Sequence, residues 1–323
     1  MGQLIDGEWV TRAKIADAGG HFRRAQTSFR STITPGSRFE AEPGRYHLYV
    51  ALACPWAHRT LMTRALLGLE SVIGVSVVEP YMDDQGWRFD AAIEHATADS
   101  LFGYEYLREV YLRAAEDFTG RVTVPILWDT KLDTIVNNES REIVRMFNRH
   151  FAGLGTPPRD LAPAALEPEI ERLIDFIYEP INNGVYRAGF ATKQGAYEQA
   201  VHELFTALDA CEAILAGQRW LAGGQPSEVD LFLFATLIRF DLIYHTHFKC
   251  NRKRIVDYPN LWGFVRELYQ VPAIASTCNF EHIRRHYYSS HPSINPHRIV
   301  AVGPDLDFDA PHDRARLGGV GLA

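Results

Sequence analysis

The run Tyr46-His47-Leu48-Tyr49-Val50-Ala51-Leu52-Ala53-Cys54-Pro55-Trp56-Ala57-His58-Arg59 constrains the fold of this chain more than any other stretch. Residues 45–52 alternate and carry aromatics, the pattern of a strand. Residues 55–68 set Leu61 and Ala65 on one face, the pattern of a helix ending at Gly68. Pro55 suits the first helical position, where its missing N–H costs nothing. Cys54 therefore stands at a strand-to-helix junction. A thiol there faces the positive end of the helix dipole, which favours the thiolate. A free cysteine is ordinarily a small buried hydrophobe, but this position makes a reactive thiol the better reading. The tetrad Cys-Pro-Trp-Ala has the outline of a Cys-x-x-Cys redox motif, with Ala57 where the second cysteine would be. Such a thiolate can attack sulfur but cannot close a disulfide within its own motif, so a thiol from solution must finish the cycle.

Around this junction the pattern continues in one order. Ser71 to Val78 reads as a second strand, and a helical stretch is expected at roughly 98–115. Val122 to Trp128 and Leu132 to Val136 form a hairpin across Asp129-Thr130-Lys131, and Glu139-Ser140 opens a helix to about His150. This β-α-β, helix, β-β-α succession is thioredoxin-like. Residues 1–42 are polar and weakly periodic, an extension packing on the core, and 43–152 form the thioredoxin-like domain. Gly153 to Pro163, with three prolines and two glycines, is the expected linker. Helices are expected near 166–182, 195–216, 227–244, 258–270 and 278–288, within an all-helical domain over 164–290. Ser227-Glu228-Val229-Asp230 reads as a capping box with Asp in its last place. Residues 291–323 read as an extended tail.

Bulk properties exclude several classes. Lys and Arg total 33 against 40 for Asp and Glu, a net charge of −7, which disfavours nucleic acid or an anionic membrane as partner. No apolar run spans a bilayer, and the first residues form neither a basic leader nor an apolar core, so a membrane or exported protein is not expected. The four cysteines, Cys54, Cys211, Cys250 and Cys278, lie far apart, which suits a reducing cytoplasm. Cys211 reads as core, and Cys250 and Cys278 as structural or incidental. His245, His247 and Cys250 lack a second ligand pair at suitable spacing, so no metal is expected. Lys249 to Arg254 reads as a solvated basic loop, at most anion-attracting.

Other candidates gain weight from Cys54. A cis proline at Val124-Pro125 would leave the Val124 backbone free to pair with an extended peptide, although a proline opening a strand also has a plain structural explanation. Ser140 and the amides beside it can hold a carboxylate, and Glu139 an ammonium, although in isolation an ordinary N-cap is the simpler reading. Trp87 and Arg121 flank the same region and could grip the ends of such a peptide. Tyr186, Tyr244 and Tyr287 sit in helical patterns that bury tyrosines routinely, and periodicity alone would not single them out. A lone activated thiol without a resolving partner points to glutathione.

In these segments the chain resembles the glutathionyl-hydroquinone reductases, the xi class of the glutathione transferase superfamily, over nearly its whole length. The resemblance rests on Cys54-Pro55-Trp56-Ala57-His58-Arg59, Asp83-Asp84-Gln85-Gly86-Trp87, Val124-Pro125, Asn138-Glu139-Ser140, Asn182-Asn183-Gly184-Val185-Tyr186, Thr246-His247-Phe248-Lys249-Cys250, and His286-Tyr287 through Asn295-Pro296. It implies a thioredoxin-like domain followed by an all-helical domain, in a homodimer. It implies a glutathione site at Trp87, Arg121, Val124, Glu139 and Ser140, and Cys54 as the catalytic cysteine. Tyr186, Tyr244 and Tyr287 would wall the hydroquinone pocket, with Tyr186 and Tyr287 assisting the chemistry. The activity so implied is glutathione-dependent reduction of glutathionyl-hydroquinones through a Cys54–glutathione mixed disulfide. The alternatives are an omega-like transferase or thiol transferase acting on other substrates, an ordinary conjugating transferase, and a non-catalytic binding module.

Overall fold

The computed structural model describes residues 2–11, 16–155 and 159–322, whose packing divides them into two units. One unit holds residues 2–11, 25–155, 159 and 277–290, and the other 16–24, 160–276 and 291–322. Parts of the expected extension (1 and 12–15), linker (156–158) and tail (323) lie outside the described residues. In chain order the strands and early helices are β1 (Gln3–Ile5), β2 (Glu8–Val10), β3 (Tyr46–Val50), α1 (Pro55–Leu66), β4 (Ile73–Val77), α2 (Leu107–Ala114), β5 (Ile126–Asp129), β6 (Thr134–Asn137) and α3 (Ser140–Met146). Then follow α4 (Glu167–Ile177), α5 (Gly184–Gly189), α6 (Gln194–Gly217), α7 (Glu228–Arg239), α8 (Pro259–Tyr269), α9 (Pro272–Ala275) and α10 (Phe280–Ser290).

The first unit is built on a four-stranded sheet in the order β4-β3-β5-β6. β3 runs parallel to β4, with Leu48 opposite Val75, and antiparallel to β5, with Leu48 opposite Leu127. Every residue of β3 is buried, because its apolar and aromatic side chains are covered on both faces. Arg45, just before β3, forks onto the buried Asp129 carboxylate at 3.0 and 2.6 Å, tying the entry of β3 to the end of β5. The β1–β2 hairpin joins the same unit through paired backbone bonds of 2.9 Å between Leu4 and Gly120.

Two expected helices differ in the structure, each for a local reason. Only 107–114 of the expected 98–115 is helical. The Asp99 carboxylate accepts the N–H groups of Leu101 and Tyr104, both at 3.1 Å, and Gly103 takes a positive φ of 71°, so a turn forms first. α2 starts only after Tyr106, whose N–H donates to Glu109 at 2.8 Å. In the second unit the expected 166–182 helix is α4 followed by a π turn, Tyr178–Asn182, and then α5. Pro180 cannot donate to the helical ladder, and the Asn183 N–H reaches back to Tyr178 O at 2.8 Å. α7 likewise ends in a π turn, Phe240–Tyr244.

α10 packs with the first unit, although the expected boundaries assign it to the helical domain. His282 bonds Glu94 O at 2.7 Å, His286 Nδ1 bonds Pro80 O at 2.9 Å, and Met82 N–H donates to Ser290 Oγ at 2.9 Å. In the second unit α7 is buried at every position and forms its centre. No described helix is long and apolar enough to cross a membrane.

The expected capping box opens α7. The buried Asp230 carboxylate accepts the N–H groups of Ser227 and Leu221, both at 2.8 Å, and the Ser227 hydroxyl at 3.0 Å. Burial nevertheless raises the Asp230 carboxyl from 3.8 to about 6. The folded chain thus holds this proton more tightly than the unfolded chain, and this group makes stability fall as pH rises from about 4 to about 6. Asp230→Asn should flatten that part of the stability curve in urea unfolding across the same pH range. Asp230→Ala at neutral pH should cost about 2–4 kcal/mol, because two buried N–H groups lose their acceptor.

Candidate active site

The backbone at Cys54 is extended, with φ −79° and ψ 122°, and the residue is the N-cap of α1 with Pro55 behind it. Its N–H donates to Ala51 O at 3.0 Å, and its carbonyl accepts the His58 N–H at 2.9 Å, the first bond of the helix. The thiol is partly exposed, and Sγ lies 3.7 Å from Val124 O. The Val124–Pro125 peptide is cis, as expected from the sequence. Two residues flanking Cys54 in the tetrad are fixed by the same helix: Ala57 is buried, and Trp56 lies under the Arg59 guanidinium, whose Cζ is 4.3 Å from the ring centre.

Arg59 extends the positive field of this helix end. It is 2% exposed, and its Nη1 lies 3.5 Å from Ser140 Oγ. Ser140 is the first residue of α3 and also 2% exposed, and α1 packs against α3. The half-buried Glu139 caps α3, accepting the Arg141 N–H at 3.3 Å, while its own N–H donates to Asn137 Oδ1 at 2.7 Å. A hydroxyl beside a desolvated guanidinium at a helix start is suited to a carboxylate.

One buried phenol holds the two loops of this region together. Tyr111 OH donates to Thr123 O at 3.0 Å and accepts the Thr123 N–H at 3.2 Å, next to Val124. It also accepts Asn138 Nδ2 at 3.1 Å, next to Glu139. Asn138 is clasped in turn by Phe29, with bonds of 3.3 and 3.1 Å. Arg121 is half-buried on the segment leading to Val124. Trp87 is buried and stacked on His286, ring centres 4.8 Å apart at 22°, and the Tyr287 ring stands edge-on to His286 at 5.2 Å. The sequence reading missed Arg59, Tyr111 and His286. Each sits among mixed polar and apolar residues of a helix, and no spacing rule singles it out.

The first unit thus contains Cys54, Trp87, Arg121, Val124, Glu139, Ser140 and Tyr287, and the second contains Tyr186 and Tyr244. Within the second unit the Tyr186 and Tyr244 rings are 6.0 Å apart, and both contact Phe248 at 5.5 Å. His247 bonds His291 at 3.1 Å, and burial lowers it to about 4. Among the described residues no three potential ligand side chains converge as a metal site would require. In the basic loop, Arg254 pairs with Asp257 at 2.8 Å, and Lys253 sits 3.5 Å over the Tyr258 ring.

Comparison with known proteins places this geometry in a wider setting. Residues 53–150 match the family description "Glutathione S-transferase, N-terminal domain", and 194–267 match "Glutathione S-transferase, C-terminal domain". The glutathionyl-hydroquinone reductase YqjG of Escherichia coli is 52% identical, over 97% of this chain and 98% of its own. A Xi class GST from Natrialba magadii superposes with a TM-score of 0.94 at 54% identity, covering 99% of this chain and 98% of its own. The glutathione-bound structure of YqjG superposes with a TM-score of 0.88 at 49% identity, covering 97% and 99%.

The four thiols differ sharply in setting. Burial pushes Cys211 up to about 12 and Cys250 upward as well. Cys54 should therefore be alkylated by iodoacetamide well before Cys211 and Cys250, which should react only on unfolding. Peptide mapping over time checks this, and labelling of Cys211 ahead of Cys54 would contradict the reading of the site.

Proposed function

This chain belongs to the Xi class of the glutathione S-transferase family, and we propose that it uses glutathione to reduce glutathionyl-hydroquinones to hydroquinones. The observation that carries the reading is Cys54 at the N-cap of α1, its sulfur 3.7 Å from Val124 O, with Ala57 in the place of a resolving thiol. The names of the relatives support the same chemistry.

In this reading glutathione lies extended along the Val124 backbone. Its γ-glutamyl carboxylate meets Ser140 and the α3 amides, its ammonium meets Glu139, and Trp87 and Arg121 hold its other end. The Cys54 thiolate attacks the glutathionyl sulfur of the substrate. The carbon–sulfur bond breaks, its electron pair stays on the ring carbon, and that carbon takes a proton. Cys54 is left as a mixed disulfide with glutathione. A second glutathione thiolate attacks the glutathionyl sulfur of that disulfide, releasing glutathione disulfide and the Cys54 thiolate. Tyr186 and Tyr287 orient the ring and deliver the proton, with Tyr244 completing the wall. We place the enzyme in a reducing cytoplasm, the setting its four widely spaced cysteines suit, and as a homodimer, as the resemblance implies.

Cys54→Ala should abolish turnover of a glutathionyl-hydroquinone while retaining glutathione binding, and intact mass of the wild type mixed with substrate should show one added glutathionyl group. Retention of most activity in Cys54→Ala would sink the mechanism. Tyr287→Phe keeps the ring and loses the proton, so kcat should fall about 100-fold with KM little changed. Faster turnover of a glutathionylated alkyl disulfide than of the hydroquinone would favour the omega-like thiol-transferase reading instead.

A further inference from the structure

Tyr186 sits in a box of rings in the second unit. Phe22, Phe190, Tyr244 and Phe248 surround it at centre-to-centre distances of 6.4, 6.2, 6.0 and 5.5 Å. A cation from the N-terminal segment enters this box. The Arg24 guanidinium lies over the Tyr186 ring, with Cζ 5.1 Å from its centre and 5.6 Å from that of Phe22. Its Nε donates to Asn183 Oδ1 at 3.0 Å, and Asn183 is itself held by the Glu179 carboxylate at 3.1 Å. The Asn183 carbonyl accepts the Tyr186 N–H at 3.0 Å, so the residue that steers the cation also opens the turn carrying the tyrosine.

Arg24 is delivered by a built loop. Residues 16–24 double back through an Ala16–Phe22 bridge, and Asp17 accepts the His21 N–H at 3.0 Å and Arg23 Nε at 2.8 Å. The loop is pinned beside α6, because the Thr192 N–H donates to Gly20 O at 3.0 Å and Lys193 Nζ to Ala18 O at 2.7 Å. Arg187, next to Tyr186 on α5, pairs with Glu203 at 2.6 Å and Glu179 at 3.5 Å. His291 packs behind Phe190 and Phe248, at 5.1 and 5.9 Å.

We propose that Arg24 is a positioning residue for Tyr186: its cation on the ring face fixes the ring plane and favours the phenolate, so that the Tyr186 hydroxyl gives up its proton more readily. This rests on the reading of Tyr186 as a proton donor in the reduction of glutathionyl-hydroquinones. A cation within about 6 Å of a ring centre attracts the π face, and it attracts the charged phenolate more strongly.

The test uses the full chain with Arg24→Met, which removes the charge, and Arg24→Lys, which keeps it. NMR of an isotope-labelled tyrosine ring carbon, assigned by its loss in Tyr186→Phe, follows the titration of Tyr186 directly. In Arg24→Met that titration should move up by about one pH unit, and in Arg24→Lys it should stay near the wild type. Turnover should follow, with kcat down about ten-fold in Arg24→Met, KM for glutathione unchanged, and recovery in Arg24→Lys. In a Tyr186→Phe background the Arg24→Met loss should vanish, since nothing remains for the cation to act through. An unmoved Tyr186 titration in Arg24→Met overturns the inference, even if kcat falls. A shifted titration combined with full activity of Tyr186→Phe upholds the effect of Arg24 on the phenol and removes Tyr186 from the proposed chemistry.

Discussion

The structure of the candidate site depends on where β3 stops. A strand buried on both faces cannot bend or slip without exposing Tyr46, Leu48 or Val50, so its last residue is a rigid reference point. Five residues later Pro55 opens a helix, and Cys54 is left at the joint with extended backbone and its side chain at the N-terminus of α1. Sheet register therefore sets the sulfur's position, and the helix sets its electrostatics. Arg45 anchors the other end of the same strand to Asp129.

Around that fixed sulfur, distant segments of chain are joined by directed hydrogen bonds as well as by apolar contact. Tyr111 OH serves Thr123 and Asn138 together, so the loop carrying Val124 and the loop carrying Glu139 and Ser140 share one buried oxygen. Arg59 ties α1 to Ser140. Buried polar groups of this kind are costly when unpaired and directional when paired, so they set loop positions more tightly than side-chain packing would. α10 adds Tyr287 to the same unit, because its histidines find carbonyl partners at Pro80 and Glu94.

In the second unit Tyr186 and Tyr244 lie among Phe248 and neighbouring rings, contacts that fix the planes of both. Arg24 lies over the Tyr186 ring, and it arrives from a loop of the N-terminal segment that has no periodicity of its own.

The amino-acid sequence alone determined the order of the four strands β3 to β6 with α1, α2 and α3, the junction at Cys54, the proline at Val124–Pro125 and the α7 capping box. These are local: a proline, a β-branched run or a Ser-x-x-Asp spacing acts within a few residues of itself. Tertiary structure decided what local pattern cannot carry. The turn before α2 depends on the Asp99 carboxylate gathering amides, and the π turn at Tyr178–Asn182 on a missing proline donor inside an otherwise helical pattern. The roles of Arg59, Tyr111 and Arg24 depend on partners 81, 27 and 159 residues away, respectively. Burial and hydrogen bonding between such distant residues exist only once the chain has closed on itself, which is why a tyrosine, two arginines and a helix destined for the other unit looked ordinary in one dimension.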